Sequence, residues 1–358
     1  MIYTSKLIQP LAAGPLDVIG DIHGEIDALT ALLDRLGYRA DGSHPAKRHL
    51  VFVGDLCDRG PDSPAVIFKV RDLVTSGRAQ CVLGNHELNL LHRAHKHGNH
   101  WFLEKDDHQY QKHAQEFGPS VRVQAHQESE ILQFLNTLPV ALERADLRVV
   151  HAAWDSEAIR IVRQSTCSAL ALYQSFDEQI KASPKGKALQ RAAQQQKAHH
   201  ALALKDLTRH EPFTPFLHEH AEWEAFYQCS NPIRVLTSGL ERVAKTPFRT
   251  AGQWRFVERV KWWQDYTDAP AVVFGHYWRF WNPQGRAQLS KGEPNLFDDN
   301  DDPLHWHKNA LHREVAFCVD YSVGARYKER LTNTAVPFHG RLAALRWPER
   351  EVVFDHPE

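Results

Sequence analysis

Leu16-Asp17-Val18-Ile19-Gly20-Asp21-Ile22-His23-Gly24 runs from a short apolar stretch directly into a carboxylate and an imidazole flanked by glycines. Downstream, Glu25 to Leu36 carries Ile26, Leu29, Leu32, Leu33 and Leu36 at helical spacing and stops at Gly37, the residue type that tolerates a left-handed C-terminus. The unit therefore reads as strand, polar loop, helix. It recurs: His49 to Val53 leads into Gly54-Asp55-Leu56-Cys57-Asp58-Arg59-Gly60, and Ser63 to Thr75 follows as an amphipathic helix. A third strand, Ala79 to Leu83, ends at Gly84-Asn85-His86-Glu87. Successive β-α-β units imply a largely parallel sheet with right-handed crossovers, so the three loops leave at one carboxyl edge. Each fixed letter occurs at about one position in twenty, and the joint chance of all three loops in order is about 10⁻⁹. They form one constellation.

The rest of the composition excludes more than it selects. Lys and Arg total 43 against 44 Asp and Glu, without the basic excess of a general nucleic-acid binder. Cys57, Cys81, Cys167, Cys229 and Cys318 are odd in number and never spaced C-x-x-C, which argues against a disulfide framework and for a reducing cytosol. No run approaches the roughly 18 apolar residues of a membrane span, and the first residues lack a signal-peptide pattern. A soluble cytoplasmic chain is expected.

Beyond the third loop, Asn89 to Gly98 reads as helix and Glu104 to Glu130 as a polar surface loop or flap. Ser129 to Leu138 reads as a further helix, and Leu147 to Val150 as a strand ending at His151. From 155 to 230 the pattern turns to Ala-, Gln-, Lys- and His-rich helix formers, an inserted cap-like segment. Strand character resumes at Ile233 to Leu236 and at Ala271 to Phe274, which ends in Gly275-His276. A polar insertion at 283–313 contains Asp298-Asp299-Asn300-Asp301-Asp302, which lacks the spacing of a calcium loop. Terminal strands close a single domain over 1–358.

Asp21, His23 and Asp55 present two carboxylates and an imidazole from adjacent strand ends, a donor mixture suited to Mn²⁺, Fe or Zn²⁺. Asn85, His151 and His276 offer a second set. With Asp55 bridging, two cations roughly 3.5 to 4 Å apart would share and acidify a water. His86 is the expected proton donor to a leaving group, oriented by Asp58, and Arg59 a bidentate phosphate clamp.

These motifs resemble those of the calcineurin-like metallophosphoesterases, in their phosphoprotein-phosphatase branch. The likeness is close over Asp17 to Glu87 and looser at His151, Gly275-His276 and the tail from Phe317 to Phe354. It implies a four-layer αββα sandwich of two stacked mixed sheets with helices outside and a helical insertion. It further implies Asp21 and His23 on one metal, Asp55 between, and Asn85, His151 and His276 on the other. His86 with Asp58 would be the acid pair, and Arg59 and Asn85 would hold substrate. Relatives place a second phosphate-binding arginine between the late histidines, where Arg234, Arg242, Arg249, Arg255 and Arg259 all lie; Arg242 is the selection made here. The chain departs from the family in His151-Ala152-Ala153-Trp154, in Tyr277-Trp278, and in a tail where Asp320 precedes Tyr321.

The expected activity is hydrolysis of phosphomonoesters, as in protein serine/threonine phosphatases, by a metal-bridging hydroxide with two divalent ions, manganese first. The alternative is cleavage of a dinucleoside polyphosphate or another nucleotide. A second alternative is a non-catalytic scaffold that keeps the metal site. Expected partners are a phosphorylated protein or a small phosphoester, with no membrane. Trp262, Trp263, Trp278 and Trp281 are expected in the core more than on a base-stacking platform.

Overall fold

The strands that carry the loops are buried on both faces, as parallel strands covered by helices must be. All four residues of β2 (Leu16–Ile19) are buried, and so are three of the four in β3 (His49–Phe52). The protein is described as a computed structural model over residues 7–200, 216–250, 253–289, 294–297, 302–332 and 338–357. Residues 201–215 of the expected helical insertion, Asp298 to Asp301 of the acidic run, and the first six residues lie outside that description.

Among the described residues the strands form two large mixed sheets and a hairpin. In the first sheet, β2 and β3 pair in parallel with Val18 opposite Val51, and β3 pairs in parallel with β4 (Ala79–Cys81). Antiparallel β13 (Arg341–Trp347) closes the other side of β2 and carries β12 (Asp320–Tyr321) and β14 (Glu351–Phe354). The second sheet runs in the order β1 (Ile8–Pro10), β5 (Ala141–Glu143), β6 (Leu147–Val150), β9 (Ala271–Phe274), β11 (Glu314–Cys318) and β10 (His307–Lys308). Its strands β6, β9 and β11 are parallel. The hairpin is β7 (Glu241–Thr250) with β8 (Gln253–Arg259).

Side-chain alternation along each strand sorts the core into layers. Val18, Val51, Val53 and Leu345 of the first sheet share one buried cluster with Leu147, Val149, Val273 and Phe317 of the second, so the sheets stack face to face. The alternate residues Ile19, Leu50 and Phe52 point outward and pack with α1 (Ile26–Leu36) and α2 (Ser63–Thr75). On the opposite face Val272 and Phe274 pack with Ile159, Val162 and Leu236 of outer helices. The arrangement is the expected αββα sandwich.

Three local expectations change. The polar stretch after Glu104 is largely helical, because Asp106 caps Asp107–Phe117 by accepting from the Gln109 amide, and a second helix spans Ala125–Leu135. Ile233 to Leu236 belongs to a helix, Pro232–Ser238, since the Asn231 side chain accepts from the Ile233 and Arg234 amides and Pro232 occupies the first turn. The helix at the third loop is α3 (Asn85–Leu91), which places Asn85 and His86 in its first turn. Trp262 and Trp263 are core residues, with Trp263 stacked on Phe274 and Phe297.

Helices Ser156–Arg163, Ala169–Ala182, Pro184–His199 and His218–Cys229 follow β6. Asp177 ties them down: its carboxylate accepts from Arg234 at 2.9 Å and from the Asn231 amide at 2.9 Å, and also from the Tyr227 hydroxyl.

Two measurements test this account. Leu345→Ala, at a wholly buried inter-sheet position, should lower unfolding free energy by about 2–5 kcal/mol in urea titrations. Burial alone would raise the Asp177 carboxyl, but Arg234 and Tyr227 hold it below its ordinary 3.8. A depressed folded-state pKa stabilises above the unfolded value and loses that contribution as pH falls through the folded value. Asp177→Asn should therefore be less stable than wild type at pH 7, with the gap between urea midpoints closing below pH 3.8.

Candidate metal centre

Both sheets aim their carboxyl ends at one edge. Asp21 and His23 follow β2, Asp55 follows β3, Asn85 and His86 follow β4, His151 follows β6, and His276 follows β9. The Asp55 carboxylate lies in two donor groups, with His23 and His86 and with His151 and His276, and the donor atoms within each group lie within 4.8 Å of one another. Its separations are 3.8 Å from the His23 and His86 Nε2 atoms and 3.3 Å from His151 Nε2. Asp21 sits 4.0 Å from His23 Nε2 and accepts from the His276 amide. The Asn85 carbonyl oxygen lies 2.9 Å from His276 Nδ1 and 3.2 Å from His151 Nε2. The structure thus gathers Asp21, His23, Asp55, Asn85, His151 and His276 into one place.

Local backbone chemistry aims these groups. His23, Asp55, Asp58, Arg59 and His276 all have φ between 47° and 75°, a left-handed region that non-glycine residues reach at a cost of about 1–3 kcal/mol each. The cost falls on the functional side chains themselves, which is where stored strain concentrates. Glycines make room for the carboxylates: a Cβ on Gly275 would lie 1.9 Å from Asp21 Oδ1, and one on Gly84 2.3 Å from Asp55 Oδ1. Glu87 fastens the second loop to the third, accepting from the backbone amides of Asp55 and Leu56 at 2.8 Å each.

Carbonyls set the imidazole tautomers. His23 Nδ1 donates to the Cys57 carbonyl at 3.0 Å and His151 Nδ1 to the Val53 carbonyl at 2.8 Å, which turns each Nε2 inward. Burial would neutralise His151, but Asp55, then Asp21, keep a proton on it and raise it to about 10. Burial opposes ionisation of Asp55 as well, yet His151, His86 and His23 hold that carboxyl well below its usual range. Burial and then the Arg59 charge push His23 well down. A buried anion surrounded by inward imidazole nitrogens suits a divalent cation, which takes the lone pairs that protons otherwise hold. The donor set fits two such ions.

His86 Nδ1 meets Asp58 Oδ2 at 2.5 Å. The Arg59 guanidinium spans the centre, donating from Nη1 to His23 Nε2 at 2.8 Å and from Nη2 to His86 Nε2 at 2.9 Å. Arginine has no acceptor, so both imidazoles carry their proton on Nδ1 in this arrangement. His86 therefore donates to Asp58. Asp58 is wholly buried and accepts a second bond from Trp101 Nε1 at 2.7 Å.

Arg242 stands apart from this group. It lies on β7 with a 62% exposed side chain paired to Glu258 at 2.8 Å, at the wall of a cavity of about 620 Å³ whose lining also includes His276. Arg259 from the same hairpin acts on the centre more directly, since its charge is, after burial, the main force depressing His276. Asp320 is buried, accepts from the Trp278 and Ser322 amides, and, after burial, is the main influence raising Asp21. Sequence reasoning assigned no role to Glu87 or Trp101. Glu87 was legible within the third loop, whereas Trp101 carried no local signal.

Converging strand ends, a shared carboxylate and imidazoles turned inward define a candidate two-metal centre. Residues 14–164 match the model for calcineurin-like phosphoesterases. An asymmetrical bis(5'-nucleosyl)-tetraphosphatase of Halalkalibacterium halodurans is 50% identical over 80 residues, 22% of this chain and 32% of the relative. A symmetrical bis(5'-nucleosyl)-tetraphosphatase of Ralstonia nicotianae is 43% identical over 81 residues, 23% of this chain and 26% of the relative. The chain thus spans about a third or less of the length of these relatives. A solved cold-active protein tyrosine phosphatase resembles it at 18% identity and a TM-score of 0.46, over 97% of this chain and 80% of the other.

Removing the Trp101 donor leaves a buried carboxylate oxygen unpaired, worth about 1–3 kcal/mol. Trp101→Phe should lower unfolding free energy by that amount. In phosphatase assays it should lower kcat with little change in KM and displace the pH profile of kcat, as expected for a group that positions Asp58.

Proposed function

We propose that the chain hydrolyses phosphoric esters or anhydrides with two divalent cations, manganese first. Asp21, His23 and Asp55 would hold one, and Asp55, Asn85, His151 and His276 the other. The observation that carries this reading is the single Asp55 carboxylate shared by two buried donor groups. The cations supply charge neutralisation at phosphorus and an acidified water as nucleophile. His86, held by Asp58 as an imidazolium, delivers its Nε2 proton to the departing oxygen and is left as the neutral imidazole whose Nδ1–H stays on Asp58. The planar fork of Arg59 takes two phosphate oxygens in place of the histidine nitrogens it now meets. Free thiols at all five cysteines support a reducing, cytoplasmic setting. No described helix is long and apolar enough to cross a membrane.

Phosphomonoesters, including phosphorylated serine or threonine, are the first substrate class, because the loop set is complete for that chemistry. Dinucleoside polyphosphates are the second, favoured by the names of the relatives that share the three loops.

The test is aryl-phosphate hydrolysis with and without Mn²⁺. Substitution of outer-shell partners of metal ligands typically costs about 10- to 100-fold, so Asp55→Asn should lose more than about 100-fold and chelator should abolish wild-type turnover. Wild-type inactivity across Mn²⁺, Fe²⁺ and Zn²⁺ would identify a non-catalytic scaffold, and undiminished activity of the variant would remove Asp55 from the centre. Relative kcat/KM on a phosphopeptide and on diadenosine tetraphosphate ranks the two classes.

A further inference from the structure

The helices between β6 and β7 do more than cover the sandwich. A cavity of about 680 Å³ has Arg59, Asn85 and His86 in its lining and extends away from them against helices Pro184–His199 and His218–Cys229. That volume lies within the range of small-molecule sites, about 300–1,000 Å³. One phosphoryl group at Arg59 and His86 leaves most of it unfilled.

Its charge is unlike that of the whole chain. Five lysines and arginines line it, Arg59, Lys96, Lys197, Arg234 and Arg255, against two carboxylates, Glu224 and Glu241, whereas the whole chain is nearly balanced at 43 to 44. Two of the five are held in place by the fold. Arg255 pairs with Glu241 at 2.8 Å, and Arg234 is clasped by Asp177 while its guanidinium lies 4.6 Å from the Tyr173 ring centre and 4.2 Å from that of Tyr227. Among the described residues, Lys96 and Lys197 have no carboxylate within ion-pair distance. The surplus is felt by neighbouring groups: burial and then Arg234 and Arg255 lower Lys96, and burial and then Lys197 and Arg255 push His220 down to about 4. Like charges gathered in a concave site repel one another and focus an attractive field on anions.

We infer that Lys96, Lys197, Arg234 and Arg255 form an anion site for a second phosphoryl group of the substrate, remote from the one that Arg59 and His86 receive. The inference deepens the hydrolase reading and rests on it for the word substrate. It predicts that small molecules carrying two or more linked phosphoryl groups bind this cavity more tightly than those carrying one. Lys96 lies in the segment after α3, Lys197 in the inserted helix Pro184–His199, Arg234 in the helix Pro232–Ser238 and Arg255 on the β7–β8 hairpin, the last three outside the family-matched 14–164.

Inorganic tripolyphosphate is the probe. Calorimetric titration of the full chain in excess chelator reads the anion site without turnover. The double variant Lys96→Gln with Lys197→Gln should bind tripolyphosphate at least ten times more weakly than wild type, and Lys197→Arg should retain binding. Circular dichroism confirms that each variant is folded. With Mn²⁺, tripolyphosphate should compete with an aryl phosphate in wild type, and the double variant should lose at least tenfold in that inhibition relative to its own aryl-phosphate KM. Equal calorimetric binding by wild type and double variant overturns the site. Tight binding that does not compete with aryl phosphate overturns its assignment to substrate. If no metal supports aryl-phosphate turnover, the hydrolase reading falls, while the calorimetric difference still decides the anion site.

Discussion

An ionised carboxylate held out of water is the demand around which this molecule is organised. Asp55 sits in a left-handed turn with almost no exposure, and an unpaired charge there would cost far more than the fold has to spare. Its backbone amide is fixed by Glu87, its carboxylate faces imidazoles from four different strand-to-loop junctions, and Gly84 yields the space its oxygen needs. Much of the remaining architecture serves to deliver those partners. Two sheets must stack with their parallel strands pointing the same way, because His23 and His86 come from one sheet and His151 and His276 from the other.

The same demand explains the layering of contacts around the centre. Nδ1 of His23 and His151 is anchored on backbone carbonyls, so only Nε2 is left to face Asp55, and the ring orientation is set by strand positions and not by the flexible side chain. His86 follows a different rule, resting on a carboxylate that is itself held by Trp101. Imidazoles anchored on carbonyls and one anchored on Asp58 are chemically distinct arrangements a few ångströms apart. Arg59 joins them by bonding one member of each.

Much of this was legible residue by residue. Asp21, His23, Asp55, Asn85, His86, Asp58 and Arg59 were identified from three loops, since short motifs after apolar runs report strand ends directly, and α1 and α2 followed from periodicity and terminal glycine. The helix at Pro232–Ser238 was misread as strand because Ile233, Val235 and Leu236 are apolar in either state, while the capping by Asn231 that decides between them is a matter of hydrogen bonding. The helices after Glu104 were obscured by polarity, for their stability comes from capping at Asp106 and from packing on one narrow face. Arg242, selected from five arginines between the late histidines, lies on the wall of a cavity it shares with His276, a relation set by how the β7–β8 hairpin packs.

The sequence by itself determined the chemistry at the strand ends, because ligand type, glycine placement and helix start are encoded within a few residues of one another. Tertiary structure alone decided that Trp101 supports Asp58 across 43 residues of chain, and that cations from the helices beyond β6 share a cavity with His86. Those relations depend on how two sheets and a set of helices pack, and packing is a property of burial summed over the whole chain, carried by no local run of letters.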